Sequence, residues 1–364
     1  PVDSAPGAGD RYDVAAKLLG EWRAGGVLAA DPPGFYVYRM GFTDETGRPR
    51  QTSGVLGVLA LDTRGDGSVL PHERTVPKAK RDRLELLRAT RADVEPIWAL
   101  SLTEGLSGLL EVEGPPIARC TDADGVHHRL YAVEGAGRAL AIGEAMAKSP
   151  VVIADGHHRY ETALAYAEER RSAGADDQAG APGLLAFATE LADDQVCVRA
   201  IHRIISGVPA PALHEALTQA FDSTPLGPLD ESGARELRSA MDARRCLGLL
   251  TPEGCSLLTP NTTALEHVAQ AAAPSLRGID ATVFAAALGE QVRARGADVT
   301  PQHDPAQILS AVQGGTATAG VFLRPPTVAQ IRAVAEAGER MPEKTSFFWP
   351  KPRTGLVFRS LDEV

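Results

Sequence analysis

The sequence predicts a mixed α+β fold in two domains, and three observations carry that prediction. Segments with strand periodicity alternate with segments of helical periodicity, and no fixed internal repeat links them. The 364 residues exceed by more than twofold the roughly 150 typical of one domain. A polar stretch rich in alanine and glycine, Ser172 to Gly183, interrupts the pattern, which then restarts. The predicted domains are therefore residues 1–180 and residues 181–364. The first holds a His-Glu pair and an Asp-Gly-His-His-Arg motif, and the second is closed by Met341-Pro-Glu-Lys-Thr-Ser-Phe-Phe-Trp-Pro-Lys351.

Taken in order, Tyr12 to Gly25 reads as an amphipathic helix carrying Val14, Leu18, Leu19 and Trp22, stopped by Gly25-Gly26. Gly34 to Arg39 alternates like a strand, and Val55 to Leu61 is apolar enough for a strand covered on both faces. Thr63 to Gly67 supplies a turn, Leu70 to Thr75 contains the His-Glu pair, and Lys78 to Thr90 is a charged helix. Val151 to Ala154 is a short buried strand and Tyr160 to Arg171 a helix, so Asp155-Gly156-His157-His158 forms the joint between them. Beyond the interruption, strands are predicted at Leu184–Leu191, Val196–Ile205, Cys246–Leu250, Cys255–Leu258 and Thr318–Leu323. Helices are predicted at Pro211–Phe221, Ala281–Arg295 and Thr327–Arg340.

Composition narrows the function classes. Hydrophobic residues make up 44% and charged ones 23%, as in globular rather than disordered chains. With 37 basic against 47 acidic side chains the net charge is -10, which opposes binding to a polyanion, so nucleic acid is not the expected partner. No apolar run is long enough for a bilayer span and the first ten residues lack a secretory signal, so no membrane partner and a cytoplasmic location are expected. The four cysteines, at 120, 197, 246 and 255, lack C-x-x-C spacing and read as reduced thiols, with neither zinc nor disulfides expected. The start at Pro1 without Met is read as a processed or trimmed end, and whether a segment precedes it is left open. Oligomeric state is left open.

The strand–Asp-Gly–His-His-Arg–helix segment is the chemical focus. The first turn of a helix presents backbone N–H groups without intrahelical acceptors and the positive end of the helix dipole, which together suit an anion. Gly156 would let the backbone approach a phosphate, Arg159 would grip its oxygens, and His157 and His158 add donors that strengthen on protonation. Asp155 would cap the helix or hold magnesium. The plainer alternative makes Asp155 a cap only, pairs Arg159 with Glu161 or Glu168 and leaves the histidines on a surface loop. Adjacent histidines at a helix start point about 100° apart, so zinc held by this pair is not expected and no metal site of the protein's own is assigned.

A phosphate seat that passes a phosphoryl group to a hydroxyl needs a base, and Glu73 is the candidate. His72 and Thr75 beside it, and Lys344, Thr345 and Lys351 among the late aromatics, are candidate substrate contacts. Lys78, Lys80, Arg81 and Arg83 read as a solvated helix face, and His202-Arg203 as a buried pairing.

The segment Ile153-Ala-Asp-Gly-His-His-Arg-Tyr-Glu-Thr-Ala-Leu164, with His72-Glu73-Arg-Thr75 upstream and the Met341–Lys351 segment at the end, resembles a bacterial and archaeal family catalogued as domain of unknown function one thousand and fifteen. The likeness covers nearly the whole chain. Members usually begin with a further segment containing Ala-Pro-Pro-Tyr-Asp-Val, and an asparagine usual after the helix that follows the His-Glu pair is replaced near Arg91. More remotely, strand–Gly-x-His-Arg–helix is similar to the phosphate-binding element of the ParB and sulfiredoxin superfamily, which includes free-serine kinases. That resemblance implies a ParB/sulfiredoxin-like core, nucleotide phosphates on Gly156, His157, His158 and Arg159, and Glu73 as base; His158 and Asp155 are the further catalytic candidates of the motif. Sulfiredoxin chemistry is not implied, because His157 stands where that enzyme has its reactive cysteine.

The expected function is a kinase that uses ATP or ADP, or another nucleotide, with Mg2+, and phosphorylates a hydroxyl of a small metabolite such as serine. The alternatives are a phosphohydrolase, in which water replaces the acceptor, and a non-enzymatic switch gated by nucleotide.

Overall fold

The computed structural model describes residues 10–71, 73, 80–174 and 182–361, and the fold is mixed α+β as predicted. Two compact units make up the chain: Pro1–Pro71 with Thr75–Cys197 and Pro350–Val364, and His72–Arg74 with Val198–Trp349. The predicted edge near residue 180 falls within residues 175–181, which lie outside the described set.

The first unit contains α1 (Arg11–Ala24), β1 (Tyr36–Thr43), β2 (Pro49–Ala60), β3 (Val69–Pro71), α2 (Lys80–Thr90), β4 (Ala92–Asp93), β5 (Ile97–Ser101), α3 (Leu106–Leu109), β6 (Ala118–Thr121), β7 (His127–Ala132), α4 (Ala136–Ala147), β8 (Val151–Asp155), α5 (His157–Ser172) and β9 (Gly183–Glu190). Eight strands form one sheet in the order β3-β8-β5-β9-β2-β1-β7-β6. Only β3–β8 and β5–β9 pair in parallel. Residues 151–154 of β8 are all buried, which explains an unbroken apolar run where alternation would mark a half-exposed strand. Val37, Val55, Ile97, Ile142, Ile153 and Tyr160 share one core that joins the sheet to α4 and α5.

The helix α1 forms where its periodicity places it, with the Asp10 side chain accepting from the Tyr12 amide, but none of its residues is buried. Val14, Leu18 and Trp22 stay largely exposed although α1 lies against α2, with Arg11 and Tyr12 both bonded to Asp82. Arg91 follows α2 at φ 46, the left-handed conformation that asparagine and glycine tolerate best.

In the second unit follow β10 (Cys197–Ala200, its first residue assigned to the first unit), β11 (His202–Ser206), α6 (Ala210–Ala220), β12 (Phe221–Gly227), α7 (Glu231–Arg244), β13 (Leu247–Thr251), β14 (Gly254–Pro260), α8 (Thr262–Ala271), α9 (Asp280–Phe284), α10 (Glu290–Ala294), β15 (Asp298–Gln302), α11 (Pro305–Gln313), β16 (Ala319–Phe322), α12 (Val328–Glu336) and β17 (Ser346–Trp349). Its six-stranded sheet runs β12-β14-β13-β16-β11-β15 with every neighbouring pair antiparallel, and β10 pairs with β17. Leu237, Met241, Leu250, Leu257, Ile308 and Phe322 centre its core.

The single strand predicted over Val196–Ile205 is broken at Ile201, whose carbonyl accepts from the Arg203 guanidinium at 2.8 Å. His202 and Arg203 are both buried, and His202 takes the Leu323 amide on Nδ1 at 3.1 Å. Burial, reinforced by the charges of Arg238 and Arg203, pushes the His202 pKa down to about 3. It is a neutral hydrogen-bond acceptor at physiological pH.

Candidate functional site

The first unit places the Asp-Gly-His-His-Arg motif at the carboxyl end of β8, between a buried strand and a helix of 16 residues. Gly156 occupies the N-cap position at φ 93, ψ 23, a conformation that only glycine adopts without penalty. The tightness of the bend is equally restrictive. A Cβ on Gly156 would stand 2.7 Å from Ile97 Cγ2 and 3.0 Å from Arg159 Nε.

Asp155 is not a cap, contrary to expectation: no side chain caps α5. Its Oδ1 instead meets Lys351 Nζ at 2.7 Å and its Oδ2 meets Arg159 Nη2 at 2.9 Å. Burial works against its charge, but Lys351, Arg159 and His157 together outweigh burial and hold its pKa below the usual carboxylate range. With a cation on each oxygen, Asp155 does not fit the expected role of magnesium ligand. Among the described residues, no group of three or more His, Cys, Asp or Glu side chains is arranged to hold a metal ion.

Arg159 curls back under the bend. Its Nη1 donates to the Pro96 carbonyl at 2.5 Å and lies 3.1 Å from Glu95 Oε2, in addition to its bond with Asp155. These contacts make Arg159 a brace of the elbow, and neither Glu161 nor Glu168 is its partner here. Nothing in the sequence marked Glu95 or Pro96 for this part, because their contact with Arg159 spans more than sixty positions. His157 and His158 occupy the first turn of α5, both partly buried, and the His158 carbonyl accepts from Thr162 Oγ1 at 2.7 Å. Further along, the Tyr160 hydroxyl accepts from the Asp62 amide at 3.0 Å and fastens α5 to the turn after β2.

Glu73 belongs to the second unit, where its carboxylate is gripped by the chain just before and at the start of β17. Oε1 accepts from the Ser346 amide at 2.9 Å and the Ser346 hydroxyl at 2.7 Å, and Oε2 accepts from the Lys344 amide at 3.1 Å. Lys344 therefore meets Glu73 through its backbone, in a left-handed conformation at φ 56. Its carbonyl is held from the other side by Arg203 Nη2 at 3.1 Å. Thr345, expected among the substrate contacts, is buried with its hydroxyl on the Pro342 carbonyl at 2.6 Å, which makes it a turn brace. Ser346 was missed by sequence reasoning, and no local pattern distinguishes it. His72 and Thr75 lie outside the described residues. Lys351, a candidate chosen for its aromatic neighbours, is brought to Asp155 across 196 positions.

No helix among the described residues is long and apolar enough to cross a membrane. No curated protein matches the sequence. Solved structures similar to the chain include a conserved hypothetical protein from Pyrococcus furiosus, at 13% identity and TM-score 0.43 over 84% of this chain and 96% of that one. A mutant free serine kinase in complex with ADP is similar at 11% identity and TM-score 0.44, over 84% and 92% of the two chains. A C-terminally truncated SbnI from Staphylococcus aureus is similar at 12% identity and TM-score 0.43, over 84% and 85%. Likenesses this distant say nothing of activity. The family model described as protein of unknown function, DUF1015, matches residues 2–282, more than half of the chain, and the protein belongs to that family.

Proposed function

We propose that the chain is a nucleotide-dependent kinase of a small hydroxylated metabolite, serine or a relative, with the elbow at Gly156 as its phosphate seat. The observation that carries this reading is the combination of a left-handed glycine at the carboxyl end of a buried strand, two histidines in the first turn of the following helix, and a lysine held beside that turn by Asp155. Backbone N–H groups, imidazoles and an ammonium group are the donors that a phosphate chain accepts from. Arg159 and Asp155 act within this seat by bracing it and by holding Lys351, and in this reading His158 donates a proton or a hydrogen bond to phosphate oxygen.

Glu73 is the base in this reading. As the substrate oxygen bonds to the terminal phosphorus, the bond from that phosphorus to the bridging oxygen breaks, the nucleotide shortened by one phosphate leaves and the hydroxyl proton passes to the Glu73 carboxylate. The two donors from Ser346 and one from Lys344 fix that carboxylate's orientation, which proton transfer at hydrogen-bond range requires. Lys344, through its side chain, and His72 and Thr75 are the proposed substrate contacts.

The test is release of ADP from ATP, or of AMP from ADP, over a panel of hydroxy amino acids, beside the shift in melting temperature with ATP and ADP. Glu73→Gln is expected to lower kcat by about 100-fold or more while leaving the nucleotide-induced shift intact. Purified protein with neither turnover nor a melting shift would end the proposal.

A further inference from the structure

Away from the elbow, at the opposite end of β8, the first unit contains a cavity of about 580 Å³ to which no role has been given. Phe35, Val55, Leu59, Ile142, Met146 and Val151 line it, between the sheet and α4. Interiors of folded proteins contain few voids larger than a water molecule, whereas pockets that take small ligands run from about 300 to 1,000 Å³. An apolar space of this size is thus the size of a ligand pocket rather than a packing defect.

A second, independent observation concerns Gly143. It lies in the middle of α4, away from either cap, and it lines the cavity. A Cβ built there meets nothing within 4 Å, and its φ is not in the left-handed region. Neither sterics nor backbone conformation therefore calls for glycine. In a helix interior glycine is less stable than alanine, so the position carries a stability cost, and a side chain larger than alanine there would narrow the cavity that Gly143 lines.

The mouth identifies the class of ligand. Among the lining residues, Lys148, Asp66 and Ser68 are exposed to solvent and Ser149 partly so. The charges balance, and Asp66 is tied into its turn by the Ser68 amide on Oδ1 at 3.0 Å. A net anion would face the Asp66 carboxylate and the carbonyl end of α4, and a net cation would face Lys148. We infer that this cavity is a binding site for a small, mostly apolar molecule without net charge, its body under α4 and its polar end at the serine-lined mouth.

N-phenyl-1-naphthylamine and its sulfonated counterpart, 8-anilinonaphthalene-1-sulfonate, share an apolar body and differ in charge, and both fluoresce more strongly in apolar sites. Titrated into the full chain, the uncharged probe is expected to saturate a single site and to bind about tenfold more tightly than the sulfonate. Gly143→Leu, which places a side chain in the cavity, is expected to abolish that binding while leaving any nucleotide-induced melting shift unchanged. Gly143→Ala is expected to raise the melting temperature and still bind. Should Gly143→Leu fail to fold, Ala147→Leu, at the exposed end of the same wall, gives the same readout. No saturable site in the wild type, a sulfonate that binds as well as the amine, or binding undiminished in a folded filled variant would each overturn the inference.

Discussion

Gly156 concentrates two constraints in one residue, a positive φ and a space too small for a methyl group. Gly156→Ala should cost about 2 kcal/mol or more, since a left-handed alanine alone loses roughly 1–2 kcal/mol and the contact with Ile97 adds to it. Chemical denaturation measures the loss, and the nucleotide-induced melting shift should vanish with it. Asp155 answers to pH. Its folded pKa lies below the unfolded value of about 3.9, so its contribution to stability is complete above that value and is lost as pH falls through the folded one. Melting temperatures recorded from neutral pH downward should therefore fall more steeply below about pH 4 in the wild type than in Asp155→Asn. An equal acid limb in the two proteins would show that the Lys351 and Arg159 contacts contribute nothing. This part of the site was legible because strand, glycine, histidines and helix are consecutive. The partners of Asp155 and Arg159 were not, because Lys351, Glu95 and Pro96 reach them through tertiary folding that no local period encodes.

Helix ends show what a local pattern can and cannot specify. The C-cap of α7 is Arg245 at φ 53, ψ 47, a left-handed position where glycine is the ordinary occupant, and its side chain is exposed. Arg245→Gly should stabilise the protein by about 1 kcal/mol, read as a rise in melting temperature without change in nucleotide response. A fall would mean that the arginine side chain contributes more than its backbone strain costs. Elements with a strong period, such as α5, β8, β9 and α12, were predicted within a few residues of where they stand. The break at Ile201 was not, because Val196–Ile205 contains no glycine or proline to mark a turning point, and at the interruption the Arg203 side chain folds onto its own backbone. Likewise Ala281–Arg295 reads as one helix, yet residues 285–289 between α9 and α10 are wound more loosely, with π-type hydrogen bonding that helical periodicity does not resolve.

At the scale of the whole molecule, the first unit is completed only after the chain has built the second. Residues 350–361 return to it, placing Lys351 on Asp155, the Arg353 amide on the Tyr38 hydroxyl at 3.0 Å, and a last short strand, Arg359–Ser360, against β4. The return is sealed at Asp93, a carboxylate with 4% side-chain exposure that accepts the Leu185 amide at 2.9 Å and pairs with Arg359 at 3.2 Å. Burial raises its pKa, and the Leu185 amide and the Arg359 charge offset only part of that rise. A folded pKa above the unfolded one means that stability is complete below the unfolded value and declines as pH climbs through the folded value, the reverse of Asp155. Removing the arginine should deepen that decline. Arg359→Met is expected to cost about 3 kcal/mol at neutral pH, where a buried carboxylate loses its charged partner Arg359, and less in acid, where the carboxyl is protonated. Adding Asp93→Asn to that variant should restore much of the neutral-pH loss, because an amide can still accept from Leu185 without a charge to bury. Denaturation curves of the single and double variants at pH 4 and pH 7 check both statements, and a loss that neither depends on pH nor recovers in the double variant would assign the effect to packing of the returning strand instead.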